Sequence, residues 1–165
     1  LSRKGNIMFK KLFIISAFVS TILISGCASV PMAANNQDIV MKAFKQPRAD
    51  KSGLYIFRDT FRGQGMKKTI YIDGVAYAET ANKVYIYVQL SPGKHTISTE
   101  TDFRNHSISF EAEGGINYFA EQFIVMTLTQ GIAGVKMVGE TAGKAGVLNS
   151  ELALTKPLSE YAFAE

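Results

Sequence analysis

Apolar and polar residues alternate along most of the chain after residue 50, and this period of two indicates β-strands. Residues 83–90 show the pattern most clearly, because Val84, Ile86, Val88 and Leu90 all fall on one face. Further strands are predicted at residues 54–57, 69–73, 75–79, 94–100, 106–113, 116–126 and 135–138. The pattern therefore predicts an all-β domain of about seven or eight strands.

Short turns separate these predicted strands. Asp73-Gly74 is a typical two-residue hairpin turn, and Pro92-Gly93 combines a fixed φ with a residue that tolerates positive φ. Strands joined in this way predict a mainly antiparallel β-sandwich over residues 38–150, with a partly closed barrel as the alternative.

Helical segments are expected only at the borders of this domain. A short helix is predicted at residues 38–44, with Asp38 as its N-cap and Pro47 beyond its end. A second short helix is an option at residues 140–148 despite its glycines, and residues 151–165 are expected to form an added strand or a tail.

The first 26 residues have the order of an export signal. Met8 is the expected initiator, because Lys10 and Lys11 follow it and lead into the uncharged, mostly apolar residues 12–25. A membrane span needs roughly 20 apolar residues, so this shorter run indicates a signal peptide instead.

The signal ends in four residues that resemble the bacterial lipobox: Ile24, Ser25, Gly26 and Cys27. The resemblance implies that diacylglycerol is attached to the Cys27 thiol and that cleavage before Cys27 creates the mature amino terminus. A plain secretory signal with an incidental cysteine is the alternative. Two or three acyl chains would anchor the protein stably. Residues 27–37 are expected to form a tether.

By the same resemblance, the residue after the lipid-carrying cysteine guides sorting between the two membranes of enteric-type bacteria. Ala28 stands there instead of the Asp that favours the inner membrane. The expected location is therefore the outer membrane, facing the periplasm.

The net charge of +4 comes entirely from the predicted signal, since residues after Cys27 hold 14 basic and 14 acidic side chains. A neutral mature domain lacks the basic footprint of a nucleic-acid-binding protein. The single cysteine excludes a disulfide framework and any zinc site built on several thiolates.

Four short motifs occur in a characteristic order: GLYIFR at 53–58, YIDG at 71–74, PGKHTISTE at 92–100 and NYF at 117–119. Together they resemble a bacterial family of domains of unknown function, number 2846, often found behind lipoprotein signals. The second and third motifs are also similar to PEGA-type β-sandwich modules of cell-surface proteins. The resemblance implies a fold and an envelope location, and no activity.

No catalytic or metal-binding set stands out. His95 and His106 are the only histidines, and both are expected to be structural. No Ser lies in a G-x-S-x-G elbow, and no P-loop is present. The sequence therefore predicts no catalytic residue, no metal ligand and no cofactor.

Two groups of residues are candidate binding surfaces. Arg58, Arg62, Lys67 and Lys68 form a local basic cluster with Phe61 among them, which could contact lipid head groups or an acidic envelope partner; a solvated strand edge is the alternative. Tyr85 and Tyr87 share the other face of the 83–90 strand. They could form a carbohydrate or peptide platform, with packing beneath a further layer as the alternative.

These observations predict a lipid-anchored, non-enzymatic binding or accessory module of the bacterial cell envelope, with a possible envelope protein as partner. An envelope enzyme with an unrecognised site is the first alternative. A passive surface protein without a defined ligand is the second.

Overall fold

A computed structural model of the chain describes residues 29–100, 106–155, 160–161 and 163. The predicted signal peptide and lipobox therefore lie outside the described residues. Within them, two helices and nine strands follow in the order α1 (Asn35–Met41), β1 (Ser52–Arg58), β2 (Lys68–Ile72), β3 (Val75–Thr80), β4 (Val84–Leu90), β5 (Gly93–Thr99), β6 (His106–Ala112), β7 (Asn117–Met126), β8 (Gly131–Val138), α2 (Glu140–Leu148) and β9 (Glu151–Leu152).

The strands form two sheets, which confirms the all-β sandwich prediction. One sheet has the order β8-β7-β1-β4-β9 and the other the order β3-β2-β5-β6. Most neighbours are antiparallel, but β1 pairs with β7 and β4 pairs with β9 in parallel. Parallel neighbours need a long connection, and here each connection crosses to the second sheet or through α2 before it returns.

The predicted alternation builds the core between the two sheets. Leu54 and Ile56 of β1 meet Ile70 of β2 and Ile97 of β5, and all four side chains are buried. The predicted hairpin turn is also confirmed. Asp73 and Gly74 have φ values of 52° and 80°, the positive values that a type I′ turn requires.

Helix α2 is present at the optional position, and its glycines are the reason it fits. A side-chain carbon at Gly143 would lie 2.3 Å from Phe119, and one at Gly146 would lie 2.1 Å from Phe57. The two glycines share one helix face. The helix backbone can therefore approach the outer face of the five-stranded sheet closely.

Helix α1 begins three residues earlier than predicted, and Asp38 is not its N-cap. Asp38 lies in the first turn, where its carboxylate accepts a hydrogen bond from the Leu152 N–H at 3.0 Å and pairs with Lys42 at 2.7 Å. Asp38 thus joins α1 to β9 instead of capping the helix.

Candidate functional site

The chain enters the described domain at Ser29, two residues after the predicted lipid-carrying cysteine. Cys27 and the other lipobox residues lie outside the described residues, so the lipid-attachment site stays a prediction. Ser29 lines an open groove of about 570 Å³, together with Val84 of β4 and Leu148 of α2. Neither helix in the described part of the chain is long and apolar enough to cross a membrane.

The predicted tether over residues 27–37 is wrong from Val30 onwards. Val30 is buried, and Met32 forms a β-bridge with Ala153. The backbone N–H of Leu154 donates to the Pro31 carbonyl at 2.8 Å. Because this segment pairs with the chain after β9, the domain begins almost directly behind Cys27.

The predicted surface tyrosines are buried, which corrects their interpretation as an exposed platform. Tyr85 and Tyr87 have 0% exposure and lie with Tyr55 in a second core on the outer face of the five-stranded sheet. Met41 of α1 and Val147 of α2 belong to the same cluster. The alternative, packing beneath a further layer, is what the structure shows.

Hydrogen bonds hold the hydroxyl groups of this tyrosine layer in place. Tyr55 donates to the Met41 carbonyl at 3.0 Å, and Tyr87 accepts from the Gln89 amide at 3.2 Å. Burial raises the pKa of Tyr87 to about 12 and also raises the pKa of Tyr55. These hydroxyls therefore stay neutral at physiological pH and act as packing groups.

Arg58 also departs from its predicted exposed position. Its side chain is completely buried beneath the loop of residues 59–67. Its Nη2 donates to the carbonyls of Gly63 at 2.9 Å and Met66 at 2.6 Å, but Nε and Nη1 have no partner among the described residues. Burial lowers its pKa to about 10. Of the predicted basic cluster, Arg62 and Lys67 are exposed, whereas Lys68 is buried like Arg58.

A buried polar cluster near Arg58 joins the two sheets, and the sequence analysis missed it. Gln122 of β7 contacts the Thr80 hydroxyl through its carbonyl oxygen and donates to the Thr99 hydroxyl at 2.6 Å. All three side chains are buried. Gln122 occupies an inward-facing position in the alternation of β7. A polar residue at such a core position was the sign of this cluster in the sequence.

His95 links the Asp73-Gly74 turn to the turn at Ser91. Its Nδ1 lies 2.6 Å from an Asp73 carboxylate oxygen and its Nε2 lies 2.8 Å from the Ser91 carbonyl. Both partners can only accept, so this geometry favours the imidazolium form, with a proton on each ring nitrogen. Burial acts to lower the pKa of His95, but the hydrogen bonds outweigh it and raise the pKa above its usual value. Both ring nitrogens of His95 are thus engaged in contacts within the domain.

His106 also makes a structural contact, since its Nδ1 accepts a hydrogen bond from the Val135 N–H at 3.2 Å. Within the described ranges, no group of three or more His, Cys, Asp or Glu side chains is placed to hold a metal ion.

The outer face of the four-stranded sheet carries small hydroxyl side chains. Thr96 and Ser109 lie opposite each other, with their side-chain oxygens 3.0 Å apart, and Ser98 lies opposite Ser107. Both serines of β6 are exposed. The sequence signal was available, because the polar half of the alternation in β5 and β6 consists largely of Ser and Thr.

The comparisons with known proteins agree with the family resemblance. Residues 48–136 match the family described as "Protein of unknown function (DUF2846)". The chain belongs to this family. The matched part of the DUF2846 domain begins just before β1 and ends within β8.

A related protein from Haemophilus influenzae, itself uncharacterised, is 36% identical over 147 residues. The match covers 88% of this chain and 88% of that protein. The match leaves 12% of this chain uncovered, which is fewer residues than precede Ser29. The similarity therefore includes part of the segment before Ser29. No solved structure matches the chain.

Proposed function

We propose that this DUF2846 protein is a lipid-anchored, non-enzymatic binding or accessory module of the bacterial envelope. The observation that carries the proposal is the short distance along the chain between the lipobox-like Cys27 and the folded domain. Val30 is already buried and Met32 is already paired with Ala153. A diacylglyceryl group on Cys27 would therefore fix the position of the domain at the membrane as well as its presence there.

The described side chains support a binding role over catalysis. Both ring nitrogens of His95 are engaged in hydrogen bonds that join turns, and His106 receives a backbone N–H. The buried Arg58 and Gln122 contact backbone carbonyls and hydroxyl groups of their own domain. These groups hold the fold together.

The hydroxyl-rich outer face of the four-stranded sheet is the surface that we assign to a partner protein. The opposite sheet is covered by both helices, whereas Ser107 and Ser109 are exposed. Small hydroxyl side chains at Thr96, Ser98 and Ser107 make the middle of this face able to hydrogen bond. Tyr71, Lys94 and Glu111 lie beside them on the same face.

The lipid anchor is tested first, by expression of the full chain and of Cys27→Ser in a bacterium with two membranes. The proposal predicts that the parent protein fractionates with the outer membrane. Its intact mass should correspond to residues 27–165 plus a diacylglyceryl group. Cys27→Ser should leave the membrane fraction. A parent protein without lipid, or equal membrane retention of Cys27→Ser, would overturn the anchor.

The partner surface is tested by cross-linking in intact cells. Ser98→Arg combined with Ser107→Arg places two long cations on neighbouring positions of the hydroxyl-rich face. Ala142→Arg on the exposed side of α2 is the matched control. The proposal predicts a cross-linked species that the double variant loses and the control keeps. Equal loss or equal retention in both would contradict the assignment of this face.

A further inference from the structure

The entry point of the chain and the ends of several strands lie at the same end of the sandwich. β1 ends at Arg58, and the parallel β7 passes the same level at Gln122. The antiparallel β4 begins at Val84, and β9 begins beside it at Glu151. Ser29 lines the groove with Val84 and Glu151. We call this end of the sandwich the anchor end and the opposite end the far end.

The β7-β8 hairpin projects from the anchor end. β7 continues to Met126 beyond its last pairing with β1 at Glu121, which amounts to about 17 Å at 3.3 Å per residue. Successive side chains of a strand point to opposite faces. Val125 and Met126 are nevertheless both exposed, so neither face of the hairpin is covered there.

The tip of this hairpin has a defined conformation. The Thr127 N–H donates to the Gln130 carbonyl at 2.7 Å, and the Thr127 hydroxyl oxygen accepts from the Gln130 N–H at 3.1 Å. Leu128, in the middle of the turn, is fully exposed. The hairpin therefore presents an apolar side chain on a braced turn.

The loop of residues 59–67 lies against the same hairpin and adds a second apolar group. A side-chain carbon at Gly63 would lie 2.9 Å from Ile124, and one at Gly131 would lie 2.7 Å from Met66. Phe61 in this loop is 88% exposed. Leu148, at the end of α2 and on the groove that Ser29 lines, is also exposed.

Arg62 is an exposed cation of the 59–67 loop beside Phe61, whereas two lysines at this end are paired. Lys67 pairs with Glu79 at 3.1 Å, and Lys83 pairs with Asp59. The residues after Cys27 carry no net charge. An apolar contact that ordinary phospholipid can satisfy therefore fits better than one that depends on anionic lipid.

The short tether decides which surface these apolar groups meet. Two residues of extended chain reach about 7 Å, so a lipid on Cys27 would hold Ser29 close to the bilayer. From this geometry we propose that the anchor end rests in the lipid head-group region, with Phe61 and Leu128 inserted. This inference rests on the proposed lipid anchor and adds the orientation of the domain.

The chain contains no Trp, which permits a direct test with single fluorescent reporters. Phe61→Trp and Leu128→Trp place the reporter at the anchor end. Val75→Trp is the matched control, because Val75 is 70% exposed beside the far-end turn at Gly74. Each variant is made as the full lipidated protein and reconstituted into phosphatidylcholine vesicles that contain brominated lipid, which quenches nearby tryptophan.

We expect a blue-shifted emission and several-fold stronger quenching at positions 61 and 128 than at position 75. A protein that floats with the vesicles but shows equal quenching, or none, at the three positions would overturn the orientation and leave the anchor intact. A protein that does not float with the vesicles would overturn the anchor itself. Unchanged quenching after addition of phosphatidylglycerol would support an apolar contact, whereas quenching that requires phosphatidylglycerol would contradict it.

Discussion

The far end of the sandwich is held by contacts between its turns. The anchor end carries exposed apolar groups above the buried Arg58, two nitrogens of which have no partner in the part of the chain that the structure describes. At the far end His95 bridges Asp73 and Ser91, and Gly114 packs directly on the backbone of Ala49. At the anchor end the carbonyls of the 59–67 loop receive only one nitrogen of Arg58. We therefore assign the lipid contact to the anchor end and a structural role to the turns of the far end.

The largest difference in unfolding free energy is expected between two glycine-to-alanine variants, one at each end of the sandwich. A side-chain carbon at Gly114 would lie 1.8 Å from the Ala49 carbonyl oxygen, and backbone cannot move aside cheaply. Gly114→Ala should therefore lower the free energy of unfolding by about 3 kcal/mol. Gly65→Ala, in the anchor-end loop, meets nothing within 4 Å and should change it by less than about 0.5 kcal/mol. Urea unfolding midpoints of both variants would show the contrast, and similar midpoints would contradict it.

Arg58 should give the next largest effect. Arg58→Ala removes a completely buried side chain and the donor to two loop carbonyls, which should cost about 2 kcal/mol of unfolding free energy. Arg58→Met fills most of the space without a buried charge, and a buried charge is often replaced by an apolar group at little cost.

We therefore expect Arg58→Met to be clearly more stable than Arg58→Ala in chemical unfolding. If both variants lost the same unfolding free energy, the buried charge of Arg58 and its unpaired Nε and Nη1 would not destabilise the folded protein.

The far-end contact should make stability depend on pH. The raised pKa of His95 contributes stability that is fully present below about pH 6.5 and is lost as pH rises through the folded value. Although burial opposes it, hydrogen bonding lowers the pKa of Asp73, and that contribution is lost as pH falls below about 4. Urea midpoints should therefore fall from pH 6 to pH 8.5 in the parent protein. In His95→Gln they should stay nearly flat across that window, and an unchanged slope would show that another group titrates there.

The smallest effect on stability is expected at the apolar side chains of the anchor end. Leu128→Ser and Phe61→Ser alter exposed groups, so each should change the unfolding free energy by less than about 0.5 kcal/mol. Val75→Ser serves as the far-end control. Thermal unfolding measures this directly, and a large loss at position 128 would mean that the hairpin tip supports the core.

Local sequence patterns predicted the strands well because each strand needs only its own alternation and a suitable turn. The hairpin at Asp73-Gly74 and the strand at Val84–Leu90 depend on neighbouring residues alone. The helix at Glu140–Leu148 was harder, since glycine is a poor helix former. Gly143 and Gly146 are favourable there only because a sheet lies against them.

The errors at Tyr85, Tyr87 and Arg58 concern side chains that segments outside their own strand cover. Alternation showed that Tyr85 and Tyr87 share a face, but α1 and α2 bury that face from the two borders of the domain. Arg58 belonged to a basic run in sequence, and the loop that follows it folds back over its side chain. A single sequence gives no direct sign of either covering layer.

Hydrogen–deuterium exchange of the lipidated protein on vesicles, compared with Cys27→Ser in solution, tests whether the anchor end faces the membrane. One experiment measures amide exchange at both ends of the sandwich. We expect slower exchange on vesicles at the anchor end, in residues 59–67 and 124–132. At the far end, exchange should be unchanged in residues 73–76, 91–95 and 113–117. Protection at the far end, or no difference between the two ends, would contradict a membrane-facing anchor end.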